Sequence, residues 1–302
     1  MRLDDIEESG NVEDRRGQSG GMGGGGFGMP MRSGGLGFGT MIILGIVAWV
    51  FGISPSVLIG GAEIVSNTLG NRAPQQQVSV PRPTGGKSDA DQQFVARVLK
   101  STEDVWTEQL AKQMNVRYQK PPLVMFSGAT RSGCGSAQSA MGPFYCPMDT
   151  KVYLDTSFFA EMKNRLRAGG DFAYAYVIAH EVGHHVENQL GILPKVQEMQ
   201  QRVGRKEANN LSVRVELMAD CLSGVWAYHA NEKFGLLEKG DIEEALNAAS
   251  QIGDDKLQKS SQGYAVPDSF THGTSAQRME WFSRGFKGGQ IRACDTFNAR
   301  AS

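Results

Sequence analysis

Along residues 90–290 apolar side chains recur mostly every third or fourth position, and that period predicts a domain built mainly of helices. Phe94, Val95, Val98, Leu99, Val105, Trp106, Leu110 and Met114 mark one amphipathic helix over residues 89–115. Ala173, Tyr176, Val177, Ala179, Val182, Val186 and Leu190 mark another, opened by Gly169-Gly170-Asp171 and closed by Gly191 and Pro194. Val215, Leu217, Met218, Leu222, Val225 and Trp226 mark a third, which runs on through Tyr228, His229 and Phe234. Shorter helices are expected over residues 158–166, from Asp241 as a cap, and over the Met279, Trp281, Phe282, Phe286 run with Thr274 or Ser275 as cap. Residues 195–211 read as a solvated helix and loop. Two short apolar runs, 121–126 and 151–155, read as strands. The fold class is therefore α+β, predominantly helical, with a small sheet.

The front of the chain breaks this pattern. Residues 1–35 hold few bulky apolar side chains and the run Gly20-Gly21-Met22-Gly23-Gly24-Gly25-Gly26, which predicts a disordered Gly-rich tail. Residues 36–60 are uncharged and mostly apolar around Met41 to Phe51, long enough to cross a bilayer as one N-terminal transmembrane helix. The stretch lies too deep in the chain for a secretory signal peptide, so an uncleaved single-pass anchor is expected. Residues 61–90, rich in Pro, Gln and Gly, read as a linker, and residues 91–302 as the folded domain. With 31 basic and 32 acidic residues, a net charge of −1 gives no basic excess to bind nucleic acid.

Chemistry enters at His180-Glu181-Val182-Gly183-His184. On a helix, residues four apart share a face, so His180 and His184 can close on one metal ion, and paired imidazoles suit Zn2+. Glu181, turned about a quarter turn away, can reach a metal-bound water and is the candidate general base. A catalytic zinc needs a third protein ligand. Glu216 and Asp220 are also four apart on an otherwise apolar helix. Two carboxylates there are accounted for if Glu216 is that ligand and Asp220 accepts the free N–H of a ligand histidine. A salt bridge to Arg214 or to an arginine elsewhere is the structural alternative.

The segments His180-Glu181-Val182-Gly183-His184-His185, Glu216-Leu217-Met218-Ala219-Asp220-Cys221 and Gly142-Pro143-Phe144-Tyr145-Cys146-Pro147 resemble those of the bacterial membrane-anchored neutral zinc metallopeptidases, relatives of the gluzincins. The likeness covers nearly the whole chain, including the acidic start around Asn11 to Arg16. It implies a zincin-like domain whose ligands are His180, His184 and Glu216, with Glu181 as base and Asp220 behind the ligands. It also implies that an edge strand within residues 144–154, just before the active-site helix, accepts a peptide as an added strand, through main-chain hydrogen bonds. The stretch from Asp268 to Arg278 resembles one that relatives place near the metal. His272 is thereby a candidate for holding the developing oxyanion, and Arg278 for a bracing ion pair to Asp220 or Glu187. No HExxHxxGxxH continuation follows His184, which speaks against a metzincin.

Four cysteines allow three full pairings. Cys134 with Cys146 is the simplest, flanking a Gly/Ser-rich loop, and leaves Cys221 for Cys294. A cysteine-rich zinc site, without the usual CxxC spacing, and free buried thiols are the alternatives. Disulfides place the domain outside the cytoplasm, in a bacterial periplasm or beyond. The sequence thus predicts a zinc endopeptidase acting on peptide or protein substrates. A membrane-anchored scaffold or binding protein with a structural or latent zinc site is the alternative.

Overall fold

The computed structural model describes residues 1–17 and 89–298. The linker and the anchor expected before residue 89 therefore lie outside the described residues. Among the described residues no helix is long and apolar enough to cross a membrane.

Strand β1 (Val12–Asp14) is followed in the described chain by helix α1 (Ala90–Met114). Asp89 caps α1 by accepting the Gln92 N–H, and Asn115 ends it in the left-handed region at φ 55°. Strand β2 (Leu123–Phe126) is buried along its whole length. The hairpin β3 (Ala129–Ser132) and β4 (Gly135–Gln138) stands apart as its own two-stranded sheet. Strands β5 (Phe144–Cys146) and β6 (Lys151–Asp155) complete a four-stranded sheet in the order β1-β2-β6-β5. The β1–β2 and β2–β6 pairs are parallel, while β5 runs antiparallel to β6 with Phe144 opposite Tyr153. The 144–154 stretch is therefore two strands joined by a turn, and its first strand forms the sheet edge. The Cys134–Cys146 disulfide ties the hairpin region to β5.

Helices α2 (Ser157–Asn164), α3 (Asp171–Gln189), α4 (Ile192–Gln200), α5 (Arg205–Phe234), α6 (Asp241–Gln251), α7 (Asp254–Gln262) and α8 (Ser275–Gly288) follow. The chain is predominantly helical with small sheets. α3 runs through the middle, with Phe172, Ala173, Tyr176, Ala179 and Val182 fully buried. Phe172 stacks on Trp226 of α5 at 5.8 Å, and the Trp226 indole donates to the Ser101 hydroxyl of α1 at 3.1 Å, which satisfies its buried N–H. α5 and α8 cross on glycines. A Cβ on Gly224 would stand 2.1 Å from the Phe282 carbonyl oxygen, and one on Gly285 would stand 1.9 Å from that of Cys221, so no side chain fits at either place. The Cys221–Cys294 disulfide fastens the same region of α5 to the C-terminal turn.

Two expectations are corrected. Residues 1–17 are not a tail: β1 pairs with β2, Ile6 is buried in the core, and the Met1 ammonium lies 2.8 Å from Asp171 and 3.4 Å from Asp241. Composition missed this because three paired backbone units and one apolar anchor suffice to dock a short segment on an existing sheet edge. Residues 18–35 lie outside the described residues. Asp241 is the first residue of α6 rather than its cap; the cap position is Gly240, and Asp241 instead accepts the Glu238 N–H at 2.8 Å.

Candidate metal centre

α3 and α5 bring the predicted ligands together because Gly183 lies against Ala219. A Cβ there would be 3.1 Å from the Ala219 carbonyl oxygen and 3.2 Å from its Cα, tight enough to push the helices apart. In this contact His180 Nε2 stands 3.3 Å and His184 Nε2 3.6 Å from the two oxygens of Glu216. One ligand atom from each of the three residues lies within 4.8 Å of the others.

The far side of each imidazole is occupied. His180 Nδ1 faces Asp220 Oδ1 at 2.9 Å, and His184 Nδ1 faces Glu187 Oε2 at 2.8 Å. A carboxylate at Nδ1 holds the proton there and leaves the Nε2 lone pair directed at Glu216. Two lone pairs converging on a carboxylate repel one another unless a cation or protons sit between them, so the donor set fits a divalent zinc ion with His, His and carboxylate ligands. Protons are what the metal-free site would hold. Burial pulls the His180 pKa down, but Asp220 and Glu216 outweigh it and raise it to about 10. Burial likewise lowers and Glu187 raises His184, with a net rise. Burial would raise Glu216, yet His272, His180 and His184 hold it well below the usual carboxylate range.

Asp220 is fully buried at the centre of a network. Arg278 on α8 donates to it twice, Nε to Oδ2 at 2.8 Å and Nη2 to Oδ1 at 2.9 Å, and the Tyr176 hydroxyl donates at 2.5 Å. Burial raises the Asp220 pKa, but Arg278 and His180 more than reverse that, so the carboxylate is charged. Of the two partners expected for Arg278, the structure pairs it with Asp220. Glu187 serves His184 instead, and burial pushes its carboxyl up to about 7 against the opposing pull of that histidine.

Glu181 and His272 line a cavity of about 130 Å³ together with His180, His184, Glu216 and Arg278. Its remaining wall is largely apolar and includes Met141, Phe144, Phe158, Val177 and Ile252. Burial raises the Glu181 pKa above its ordinary value. His272 Nδ1 faces Asp254 Oδ1 at 3.1 Å, while Oδ2 of the same carboxylate accepts the backbone N–H groups of Thr271, His272 and Gly273. Its Nε2 is buried without a hydrogen-bond partner among the described residues. Burial lowers the His272 pKa, and Asp254 and Glu216 reverse it to a net rise.

All the residues singled out for the candidate metal site thus converge. Sequence reasoning missed Tyr176, Glu187 as a histidine partner, and Asp254. For Glu187 the signal was present, three residues after His184 on one helix face. Asp254, at the start of a different helix, left none. Both disulfides join the pairs expected, Cys134 with Cys146 and Cys221 with Cys294.

Known proteins fit this picture. The family model described as "Putative neutral zinc metallopeptidase" matches residues 1–297. The chain is 51% identical over 299 residues to "Uncharacterized protein YpfJ" of Escherichia coli strain K12, covering 98% of this chain and 99% of that one. It is 39% identical over 265 residues to "Uncharacterized protein Rv2575" of Mycobacterium tuberculosis, covering 83% and 85%. No solved structure matches it significantly. With a family model spanning nearly its whole length and a relative sharing half its residues end to end, the chain belongs to the neutral zinc metallopeptidase family.

Proposed function

We propose that the chain is a zinc-dependent endopeptidase attached to the bacterial inner membrane through residues 36–60, with its metal site on the extracytoplasmic side. One observation carries the catalytic reading. The two imidazole Nε2 atoms converge on Glu216 while Asp220 and Glu187 occupy both Nδ1 atoms, and Glu181 opens onto the same cavity. Zinc held by His180, His184 and Glu216 would lower the pKa of a bound water toward neutrality and polarise a scissile carbonyl.

The protein's own groups then divide the work. Glu181, its basicity raised by burial, takes the proton from the attacking water and passes it to the departing amine. His272, held at Nδ1 by Asp254 and kept protonated on both ring nitrogens, against the pull of burial, by the Asp254 and Glu216 carboxylates that raise its pKa, offers a buried N–H from Nε2 to the oxygen that gains charge. Arg278 positions His180 through Asp220. Strand β5 pairs only with β6 among the described residues and lines the cavity through Phe144 and Tyr145, which supports a peptide lying alongside it as an added strand. The two disulfides support the extracytoplasmic placement.

Metal analysis together with hydrolysis of an unfolded protein, wild type against Glu181→Gln, tests the reading. Both proteins should hold one zinc, and only the wild type should hydrolyse. Full activity in the variant removes Glu181 as base, and zinc-loaded wild type without hydrolysis leaves a structural zinc site.

A further inference from the structure

The histidine directly after the second ligand has no part in the chemistry above, yet both of its ring nitrogens are engaged by elements other than α3. His185 is 2% exposed. Its Nε2 faces the Gln119 carbonyl oxygen at 2.5 Å, and because a carbonyl only accepts, Nε2 carries a proton. Its Nδ1 faces the Tyr145 hydroxyl at 3.0 Å. The Asn188 amide, three residues on along the same face of α3, donates to that hydroxyl at 3.0 Å, so the hydroxyl's own proton goes to Nδ1. Donors and acceptors are thus ordered from Asn188 through Tyr145 and His185 to Gln119.

Tyr145 is the middle residue of the edge strand β5. Phe144 and Cys146 pack in a smaller cluster with Val124, Phe126 and Tyr153, whereas Tyr145 belongs to the main core that holds α3. Main-chain pairing holds β5 on one side, to β6, and the disulfide at Cys146 ties its end to the hairpin region. The Tyr145 hydroxyl is its hydrogen-bonded tie to the helix that carries the metal ligands. We propose that His185 and Asn188 are positioning residues for substrate: they clamp the Tyr145 hydroxyl and so fix β5 beside the ligand site. The proposal rests on the reading of β5 as the strand that receives a peptide. A peptide paired with β5 inherits its position, so slack in the clamp displaces the scissile bond from Glu181 while every group at the metal stays in place. Tyr118 supplies an internal control. Its ring meets His185 edge-on at 5.6 Å, as the Tyr145 ring does at 5.4 Å, but its hydroxyl is buried without a partner among the described residues.

The test compares Tyr145→Phe, His185→Phe, their combination and Tyr118→Phe in the zinc-loaded full chain, each also in the Glu181→Gln background. Anisotropy of fluorescein-labelled casein reads binding to the Glu181→Gln proteins and needs no hydrolysis. Mass spectrometry reads amide exchange over residues 144–146, and casein hydrolysis gives KM and kcat. Tyr145→Phe should weaken casein binding about tenfold, the upper worth of one hydrogen bond, and raise KM by the same factor with a smaller change in kcat. Exchange at residues 144–146 should quicken with zinc content unchanged. His185→Phe should do the same, and the double variant should lose no more than the worse single one, because both break one clamp. Tyr118→Phe should change none of these. Unchanged binding and exchange in Tyr145→Phe overturn the proposal. So do a loss confined to kcat, an equal loss in Tyr118→Phe, and absence of casein binding by the Glu181→Gln protein. If the zinc-loaded wild type binds casein without hydrolysing it, the peptidase reading fails, and binding and exchange still decide the clamp.

Discussion

Asp220→Asn probes the network behind the metal site most directly. The wild-type carboxylate is fully buried and meets Arg278 twice, Tyr176 once and His180 once. An amide of the same shape leaves the Arg278 guanidinium, itself 2% exposed, without its nearest counter-charge, Glu216 standing 4.0 Å away. Breaking one half of a buried pair costs about 3–5 kcal/mol. For a protein of this size, where 1 kcal/mol corresponds to about 2–4 °C, the melting temperature should fall by at least roughly 6 °C. The amide also no longer acts as a charged acceptor for His180 Nδ1, so the imidazole is less firmly held in the tautomer that exposes Nε2. Loss of such a partner weakens zinc binding about 10–100-fold, or roughly 1.4–2.8 kcal/mol. Chelator competition on folded protein reads the affinity, and a thermal melt reads the stability. Glu187→Gln serves as comparison, since it removes the carboxylate from His184 without touching Arg278. It should weaken zinc with a smaller thermal effect. If Asp220→Asn binds zinc as tightly as wild type and melts at the same temperature, the reasoning about this network is wrong.

Further outcomes follow from the same geometry. Zinc affinity should rise with pH between about 6.5 and 10, because a His180 pKa raised to about 10 means that zinc must displace a proton throughout that range. Calorimetric titration in buffers of different ionisation enthalpy measures the protons released, and a pH-independent affinity would contradict it. His272→Ala and Asp254→Asn should each lower kcat, the first by about 10²–10³-fold, with zinc content unchanged. Loss of metal in His272→Ala would point instead to a structural role. Replacing Cys221 and Cys294 together by Ala should cost about 4 kcal/mol, against about 3 for Cys134 with Cys146, because the first pair closes 73 residues of chain and the second 12. Denaturant titration under non-reducing conditions reads both, and equal losses would show that closure entropy does not dominate.

Much of the fold and the site was legible without coordinates, because the signals are local. The 3.6-residue period placed α1, α3 and α8 to within a few residues and found α5 from about residue 215 onward, while its first turns from Arg205 lie in a stretch read as a solvated helix and loop. Two acids at helical spacing on an apolar helix named Glu216 and Asp220 before any contact was known. What the sequence by itself determined is therefore which residues share a helix face and which chemistry those faces carry. The tertiary structure alone decided which faces meet. Gly183, Gly224 and Gly285 matter only because a particular partner backbone lies within 3.1 Å or less of the Cβ they lack. Asp254 reaches His272 across 18 residues, and Tyr176 reaches Asp220 from another helix, with no periodicity linking either pair. Residues 1–17, polar enough in composition to pass for a tail, join the sheet through backbone hydrogen bonds, which carry no side-chain signature.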